Sequence, residues 1–314
     1  MLSIAALRFT KYSRTNMILI DYSQVALSTI FQFQKDLQKG IKNEDAINII
    51  RHAILSGLKY YKQKFGQKYG NMVLACDGKN YWRRELFPHY KANRKSTRDR
   101  IDLDWDLVFN TISDIKNDIA EHFPYSVLHF DNVEADDIIA VLCKWTQTNG
   151  FVDHGMFEEK QPVMIVSSDG DFKQLHKYAN VDQWSPIQKK LVECSNPTAY
   201  LIEHTAKGDS GDGIPNVLSP DAVFITEGVR QSKMTAKKLE NFMVNGRDGC
   251  QTDEEKRNWD RNNLLINFEM IPTNIQETII NTFTSNPPKG NKMSIYNYLV
   301  KNRCRLLLDD IEGF

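Results

Sequence analysis

Nine acidic residues occur in five short motifs and could together bind divalent cations. They are Asp21 in LID, Asp77 in ACD, Glu134, Asp136 and Asp137 in VEADD, Asp169 and Asp171 in SSDGD, and Asp209 and Asp212 in GDSGD. These motifs contain no His, and their one Cys, Cys76, belongs to the apolar run before Asp77. Hard oxygen ligands favour Mg²⁺ or Mn²⁺ over zinc. Two such ions, roughly 3.5 to 4 Å apart, can activate water and stabilise the leaving oxygen of a phosphodiester. The acids therefore predict a two-ion centre.

A single acid in such a motif also has an ordinary structural explanation. An Asp after a strand is more often a helix cap or a turn former, and acids at the start of a helix interact favourably with its dipole. Four acids that follow strands are a much rarer coincidence. Asp209 and Asp212 stand three apart in a Gly-rich turn, where both can face the same point. Repulsion among nine clustered carboxylates needs counter-charge, which divalent cations supply.

A strongly basic segment could supply the partner of this acidic centre. Residues 81–100 contain seven Lys or Arg against two acids, with aromatic rings between the cations. Cations and rings in that arrangement suit phosphate contact and base stacking. Taken alone, the segment could equally be a solvated basic helix. Next to a metal site it is better interpreted as the entry for a nucleic-acid substrate.

Short apolar runs predict the strands that position the acids. Met17 to Ile20 and Met72 to Cys76 each precede an Asp, and 125–130 and Val163 to Val166 are further strand candidates. Apolar residues at helical spacing over 47–61 separate the first two runs. Strands that alternate with helices predict an α/β core with a mostly parallel sheet. In such sheets ligands bind outside the carboxyl ends of the strands.

The last third of the chain has a different pattern. After about residue 200 the strand signals fade and the sequence becomes helical and polar, with Pro- and Gly-containing breakers at 215–220 and 286–290. The polar segment 245–263 is predicted to be either a mobile connector or a solvated helix-loop surface, and we favour the second. We expect a helical region over 201–314.

Composition excludes several classes of protein. The 40 Lys or Arg balance 40 Asp or Glu, which excludes a uniformly basic coat and an acidic tail protein. With 41% hydrophobic residues the chain can bury a sizeable core, and no apolar run approaches the roughly 20 residues of a membrane helix. The five cysteines form no CxxC pair, which argues against a disulfide framework or a zinc site and favours a reducing, intracellular setting.

Residues 1–16 precede the first strand and contain three basic residues and no acids. They lack the arrangement of a secretory signal. Three interpretations remain open: a transit peptide, translation from a start codon upstream of a true start at Met17, and an accessory tail that binds a partner. We favour the accessory tail.

The ordered motifs resemble the flap endonuclease or 5′-nuclease family, with the greatest similarity to its ribonuclease H branch in T-even-like bacteriophages. The similarity lies in ILIDYSQ, LACDGKNYWRRELFPHYKANR, VEADDIIAVL, VSSDGDFKQL and GDSGDGIPNV. It implies a PIN-like, mostly parallel sheet flanked by helices over 17–200, with a helical arch at about 80–124. It also implies a C-terminal helical region containing a helix-three-turn-helix that grips duplex DNA.

The resemblance also implies residue roles. Six of the nine acids match direct cation ligands or their close supports: Asp21, Asp77, Glu134, Asp136, Asp169 and Asp171. The other three, Asp137, Asp209 and Asp212, match the remaining ligands, some of which act through water. Lys91 and Arg83 match arch residues that steer the scissile phosphate, and they would share one face if residues 83–91 formed a helix. The matched pattern includes Arg94, and Thr235 and Lys237 are expected to donate to phosphate. Arg84 and Lys95 are further predicted nucleic-acid contacts, from the charge of the basic segment, and Lys95 lies outside the matched motif. Two departures from the family pattern are Asn216 in place of a Gly and the insertion of residues 219–234.

The implied activity is that of a 5′ to 3′ exonuclease and flap endonuclease with ribonuclease H activity. Such an enzyme removes RNA primers and 5′ flaps during lagging-strand replication, in the cytoplasm of the host if phage-encoded. It would use two Mg²⁺ ions, with Mn²⁺ as a substitute. Its implied partners are branched or flapped DNA, RNA:DNA hybrid, a sliding clamp and a single-strand-binding protein, and it would be a monomer.

Two other functions are compatible with parts of the sequence. One is a catalytically inactive, structure-specific DNA-binding protein of the same fold, and the other is a toxin-type PIN ribonuclease. The complete acid set and Lys91 favour the enzyme, because a binding protein gains nothing from such repulsive charge. A toxin-type nuclease would be shorter and would lack the GDSGD turn.

Overall fold

The computed structural model describes residues 16–33, 35–37, 41–92, 103–149, 151–153 and 158–314. Its central sheet has six strands in the order β3-β2-β1-β6-β7-β8, and β4 and β5 form a separate hairpin. The strands are β1 Met17–Asp21, β2 Asn71–Cys76, β3 Ser126–His129, β4 Phe151–Asp153, β5 Glu158–Lys160, β6 Val163–Val166, β7 Val181–Ser185 and β8 Lys190–Val192. All central pairings are parallel except that of β7 with β8. The predicted mostly parallel α/β sheet is confirmed.

Eleven α-helices are described. They are α1 Tyr22–Ile30, α2 Asn43–Tyr69, α3 Trp82–Leu86, α4 Trp105–His122, α5 Ala135–Asn149, α6 Pro197–Lys207, α7 Ala236–Asn245, α8 Asp253–Ile266, α9 Thr273–Ser285, α10 Lys292–Lys301 and α11 Arg305–Leu308. Among the described residues, none of these helices is both long enough and apolar enough to cross a membrane.

The alternation of side chains along β1 explains the two layers of helices. Ile18 and Ile20 face a core built with α1, α2, α4 and α10, whereas Met17 and Leu19 face a core built with α5 and α9. All four side chains are fully buried. A strand whose successive residues point to opposite faces needs apolar residues throughout when both faces are covered.

The predicted arch at about 80–124 is too wide. Val108, Ile112, Ile115 and Ile119 of α4 lie in the main core, since their spacing places them on one helical face. Residues 105–122 therefore form a core helix. The remainder of the range includes 93–102, which lie outside the described residues, as do Arg94 and Lys95.

The C-terminal region is helical, as predicted, but it does not stand apart from the sheet. Ile279 of α9 packs in the core on one side of the sheet, and Leu299 of α10 packs in the core on the other. Gly290 allows the chain to cross the end of α4, because a Cβ there would lie 2.3 Å from the carbonyl oxygen of His122. Ser294 Oγ donates to that same oxygen at 2.6 Å.

Of the two alternatives for 245–263, the structure supports the favoured helix-loop and not a mobile connector, although one face of the helix is buried. Much of this segment forms α8, in which Asn258, Trp259 and Asn262 are buried. The Nδ2 atom of Asn258 donates to Val217 O at 3.0 Å, and the Nδ2 atom of Asn262 donates to Pro215 O at 2.8 Å. The polar composition concealed a buried face because its amides hold the turns of 208–235 instead of facing water.

We predict that α10 is part of the folding unit of the nuclease core. Replacing Leu299 with Ala should lower the free energy of unfolding by about 2–5 kcal/mol, because a fully buried Leu leaves a cavity. The neighbouring Val300 is half exposed, and its change to Ala should alter stability by less than about 0.5 kcal/mol. Urea unfolding followed by circular dichroism measures both. Equal midpoints for the two variants would contradict the prediction.

Candidate metal centre

Four carboxylates reach one edge of the sheet because parallel strands end there together. Asp21 is the last residue of β1, Asp77 follows β2, and Asp169 and Asp171 follow β6. Asp21 Oδ1 accepts from Gln24 N at 3.2 Å and so caps α1, while its Oδ2 accepts from Ser167 Oγ at 3.0 Å. The capping explanation for this acid is therefore correct, and capping also fixes its carboxylate at the edge.

Helix α5 brings Glu134 and Asp136 to the same edge. Asp77 Oδ1 accepts from Ala135 N at 3.0 Å, so one acid of the centre anchors the start of the helix, where Glu134 and Asp136 lie. Asp136 is electrostatically coupled to Asp169, Asp21 and Glu134. The acids predicted from separate motifs are thus brought together.

The GDSGD turn supplies the acids on the other side of the centre. Asp209 Oδ1 accepts from Gly211 N at 2.7 Å and from Asp212 N at 3.2 Å, which folds the turn back on itself. Gly208 has φ +67°, and a Cβ there would lie 2.4 Å from Ile214 O. Only glycine fits this position without rearrangement.

Arg83 is a buried counter-charge, which differs from its predicted role at the scissile phosphate. Its guanidinium lies 2.7 Å from Glu134 Oε2 and 2.8 Å from Asp137 Oδ1, and its Nε donates to Leu265 O at 2.8 Å. Arg83 is only 3% exposed. The side chain therefore neutralises two acids and joins α3 to α5 and α8.

Asp137 is also corrected from a cation ligand to a support. It is fully buried, and its oxygens accept from Arg83, from Trp82 Nε1 at 2.9 Å and from Glu134 N at 3.2 Å. With both oxygens engaged, it orients Arg83 and the VEADD turn.

Lys91 reaches the centre, but it does not share a helical face with Arg83, as was predicted. Helix α3 ends at Leu86, and Lys91 itself has φ +58°. Its Nζ pairs with Glu134 and lies 3.4 Å from Asp212 Oδ2. Tyr90 OH lies 2.9 Å from Asp212 Oδ2 as well. Arg83 and Lys91 thus meet at Glu134, because the chain turns between them.

Burial and mutual repulsion make the carboxylates hold their protons more tightly. Burial, then Asp77, raises the pKa of Asp21 to about 7, and burial, then Asp171, raises the pKa of Asp169 to about 6. Burial, then Asp169, raises the pKa of Asp136 well above its ordinary value. Desolvated acids that repel one another fit divalent cations, which favour the ionised form of their ligands.

His204 was missed by sequence analysis, although it lies beside the centre. Its Nε2 is 2.9 Å from Asp171 Oδ1 and 3.8 Å from Asp209 Oδ2. Burial lowers the pKa of His204, but Asp171, Asp209 and Asp169 more than offset this, so that the pKa is raised. The only sequence signal was a His five residues before the GDSGD acid, on the preceding helix.

Three of the predicted nucleic-acid contacts lie within the described residues, and all three are on the surface. Arg84 is exposed on α3, with its guanidinium 4.9 Å from the centre of the Tyr81 ring. Thr235 caps α7 by accepting from Lys238 N at 3.3 Å, and Lys237 is exposed beside it.

Asn216 organises the inserted segment 219–234. Its Nδ2 donates to Ser232 O at 2.8 Å, and its backbone N donates to Gln231 Oε1 at 2.7 Å. Its Oδ1 accepts from Ser219 Oγ at 2.8 Å. The departure from Gly therefore ties both ends of the insertion to the GDSGD turn.

Two family profiles cover the chain. The profile of the 5′-3′ exonuclease, N-terminal resolvase-like domain, matches residues 16–203, and that of the T4 RNase H C-terminal region matches 196–314. Ribonuclease H of Enterobacteria phage T4 is 34% identical over 313 residues, covering 96% of each chain. The flap endonuclease Xni of Shewanella pealeana is 33% identical over 148 residues, covering 43% of this chain and 48% of that protein.

Solved structures share the fold. The T5 D15 protein co-crystallised with metal ions matches with a TM-score of 0.58 at 16% identity, covering 86% of this chain and 97% of that one. The T5 5′-exonuclease with bound zinc matches with a TM-score of 0.57 at 17% identity, covering 85% and 96%.

We predict that Arg83 acts mainly through stability. Replacing Arg83 with Met should cost about 3–5 kcal/mol of unfolding free energy, because two buried carboxylates lose their partner. Arg84→Met on the same short helix removes an exposed cation and should cost less than about 0.5 kcal/mol. Chemical denaturation of both variants measures the difference. A stable Arg83→Met protein would show that these buried contacts contribute little.

We also predict an unusual pH dependence for the protein kept in EDTA. The folded state binds the protons of Asp21 and Asp169 more tightly than the unfolded chain, whose Asp pKa is near 3.8. The free energy of unfolding should therefore fall as the pH rises from about 4 to about 7. Thermal melts across this range measure the slope, and Asp21→Asn should flatten it. Saturating Mg²⁺ should stabilise the protein most at the high-pH end, and a rising melting temperature in EDTA would contradict the assignment.

Proposed function

The chain belongs to the 5′-3′ exonuclease family, and from this premise we propose that it is a metal-dependent 5′ to 3′ exonuclease and flap endonuclease with ribonuclease H activity. In this role it removes RNA primers and 5′ flaps from lagging-strand DNA during replication, inside the host cell. The observation that carries the proposal is the convergence of acids from three strand ends, from the start of α5 and from the GDSGD turn at one sheet edge.

Two groups of acids would hold two Mg²⁺ ions, with Mn²⁺ able to substitute. The first group is Asp21, Asp77, Glu134 and Asp136, and the second is Asp171, Asp209 and Asp212. The charge of Asp169 acts on Asp136 of the first group and on all three acids of the second, so Asp169 would help to hold both ions. When bound, the ions activate water and stabilise the leaving oxygen of the phosphodiester.

The chain's own cations complete the centre. Arg83 holds Glu134 in place from the buried side. Lys91 contributes positive charge between Glu134 and Asp212, where a phosphate gains negative charge during cleavage. A fixed cation in a water-poor site stabilises that charge more than it would in bulk water.

The substrate contacts follow from the surface beside the centre. Arg84, together with Arg94 and Lys95, would contact the incoming strand, and Thr235 and Lys237 at the start of α7 would contact a duplex phosphate. We assign 17–200 to the nuclease core, 201–314 to DNA binding and 1–16 to an accessory tail. The tail would serve a sliding clamp or a single-strand-binding protein, and the enzyme would act as a monomer on flapped DNA and RNA:DNA hybrid.

An inactive DNA-binding protein of the same fold is the alternative. It would have no use for desolvated acids with raised pKa values, which cost stability when no ion is bound. A product ladder separates the two functions. We expect stepwise products from a 5′-labelled flap and from a nicked RNA:DNA hybrid in Mg²⁺, and none in EDTA. Binding without cleavage in Mg²⁺ and in Mn²⁺ would favour the alternative.

We predict that Asp169→Asn abolishes cleavage while leaving substrate affinity equal or higher. The substitution weakens cation binding at the shared position and removes a charge that repels the polyanion. Single-turnover cleavage and a fluorescence anisotropy titration in Ca²⁺ measure the two effects. Asp182→Asn, a surface carboxylate on β7 paired with Lys68, is the control and should cleave normally. Loss of affinity in parallel with cleavage would assign Asp169 to DNA binding.

We predict that Lys91→Ala lowers single-turnover cleavage by about 10²-fold or more, the order found when one electrostatic donor is lost. Affinity for the substrate should change much less, because the side chain is buried among acids. The exposed Arg84 provides the comparison, since Arg84→Ala should mainly weaken binding and reduce its salt dependence by about one unit of slope. The test is to measure the single-turnover cleavage rate and the substrate affinity of both variants over a range of salt concentrations. Similar affinity losses with unchanged rates would place Lys91 in a general basic surface.

A further inference from the structure

We propose that His204 is a nitrogen ligand of the second cation position, which therefore takes a transition ion such as Mn²⁺ in preference to Mg²⁺. The inference rests on the proposed metal centre and names the class of ion for one of its two positions. It changes the expectation drawn from the acidic motifs alone, whose ligands are all oxygens.

The first observation is the convergence of three ligand atoms. One carboxylate oxygen of Asp171, one of Asp209 and one imidazole nitrogen of His204 all lie within 4.8 Å of one another. The distances from Nε2 are 2.9 Å to Asp171 Oδ1 and 3.8 Å to Asp209 Oδ2. The three side chains are 17–28% exposed, so the site is sheltered but open to an ion.

The second observation is the bonding of the imidazole nitrogen. Nε2 is shielded from solvent, and no acceptor or donor in the described part of the chain is aligned with it for a hydrogen bond. Asp171 Oδ1 lies 2.9 Å from Nε2, but the two atoms are not aligned for a hydrogen bond. A buried polar atom without an aligned partner is costly, and a cation between the three side chains would satisfy it.

The third observation is the fixed orientation of the ring. Tyr200, one turn earlier on α6, stacks on His204 with ring centres 5.5 Å apart and planes 20° apart. Lys173 Nζ lies 5.0 Å from the centre of the Tyr200 ring, and a Cβ at Gly170 would approach the Tyr200 hydroxyl to 3.0 Å. The SSDGD segment and the Tyr200 ring are therefore fitted to each other. A ligand held this way loses little rotational freedom when it binds an ion.

The ligand chemistry then selects the ion. Mg²⁺ prefers six oxygen ligands in a strict octahedron, whereas imidazole suits first-row transition ions such as Zn²⁺ and Fe²⁺. Mn²⁺ belongs to that series and also accepts carboxylates, so it suits a mixed site of two acids and one imidazole. The first position offers only carboxylates and suits Mg²⁺. The two positions would thus differ in ligand type and, with it, in ion preference.

The test uses the full-length protein without DNA and Mn²⁺ as the probe. Electron spin-echo envelope modulation of the bound Mn²⁺ should show coupling to ¹⁴N in the natural protein. The coupling should disappear in His204→Asn and persist in His176→Asn. His176 is a matched control, because it lies on the neighbouring segment and contacts Gln183 at 3.1 Å.

Competition between the ions gives a second measurement. Calorimetric titrations of Mn²⁺ and Mg²⁺ should show that His204→Asn weakens one class of Mn²⁺ site by at least about 10-fold, with Mg²⁺ affinity unchanged or increased. An unchanged ratio of the two affinities would overturn the proposal. It would mean that His204 only pairs with Asp171 in the ion-free protein.

The spectrum of the natural protein does not depend on any variant folding correctly. Absence of ¹⁴N coupling in that spectrum overturns the proposal even when cleavage is normal. Conversely, coupling in a protein that cleaves no substrate supports the ligand assignment and refutes the proposed nuclease function.

Discussion

Repulsion among desolvated carboxylates is the constraint on which the rest of this structure depends. Each acid reaches the sheet edge through an ordinary local interaction, such as the capping of α1 by Asp21 or the anchoring of α5 by Asp77. Together the ionised acids destabilise the edge, because burial and mutual repulsion raise the pKa values of Asp21 and Asp169. The fold tolerates this because positive charge comes from several elements.

The source of that positive charge explains the arrangement around the centre. Arg83 is the deepest cation and pairs with two acids of the VEADD segment, while Lys91 bridges that segment to the GDSGD turn. Both come from the basic segment that follows β2. The neutral total charge of the chain thus conceals local pairs, such as those of Arg83 and Lys91 with their acids.

The strands and the acids could be predicted from sequence because both depend on neighbours along the chain. A buried parallel strand is a continuous apolar run, and the acids follow directly. The functions of Arg83 and Asp137 could not be predicted, because they depend on contacts across 54 positions of sequence. His204 was invisible for the same reason, since only the packing of α6 brings it to Asp171. The buried amides of α8 show that polar composition does not distinguish a solvated helix from a helix whose side chains hydrogen-bond to the backbone of another segment.

The hydrogen bond from Arg83 to Leu265 has a consequence for synthesis on the ribosome. A nascent chain that ends before α8 lacks this acceptor, and it also lacks the amides that hold the GDSGD turn. The core on one side of the sheet stays incomplete until α10 is made. The edge that carries the acids can therefore be completed only after α8 has been made, late in translation.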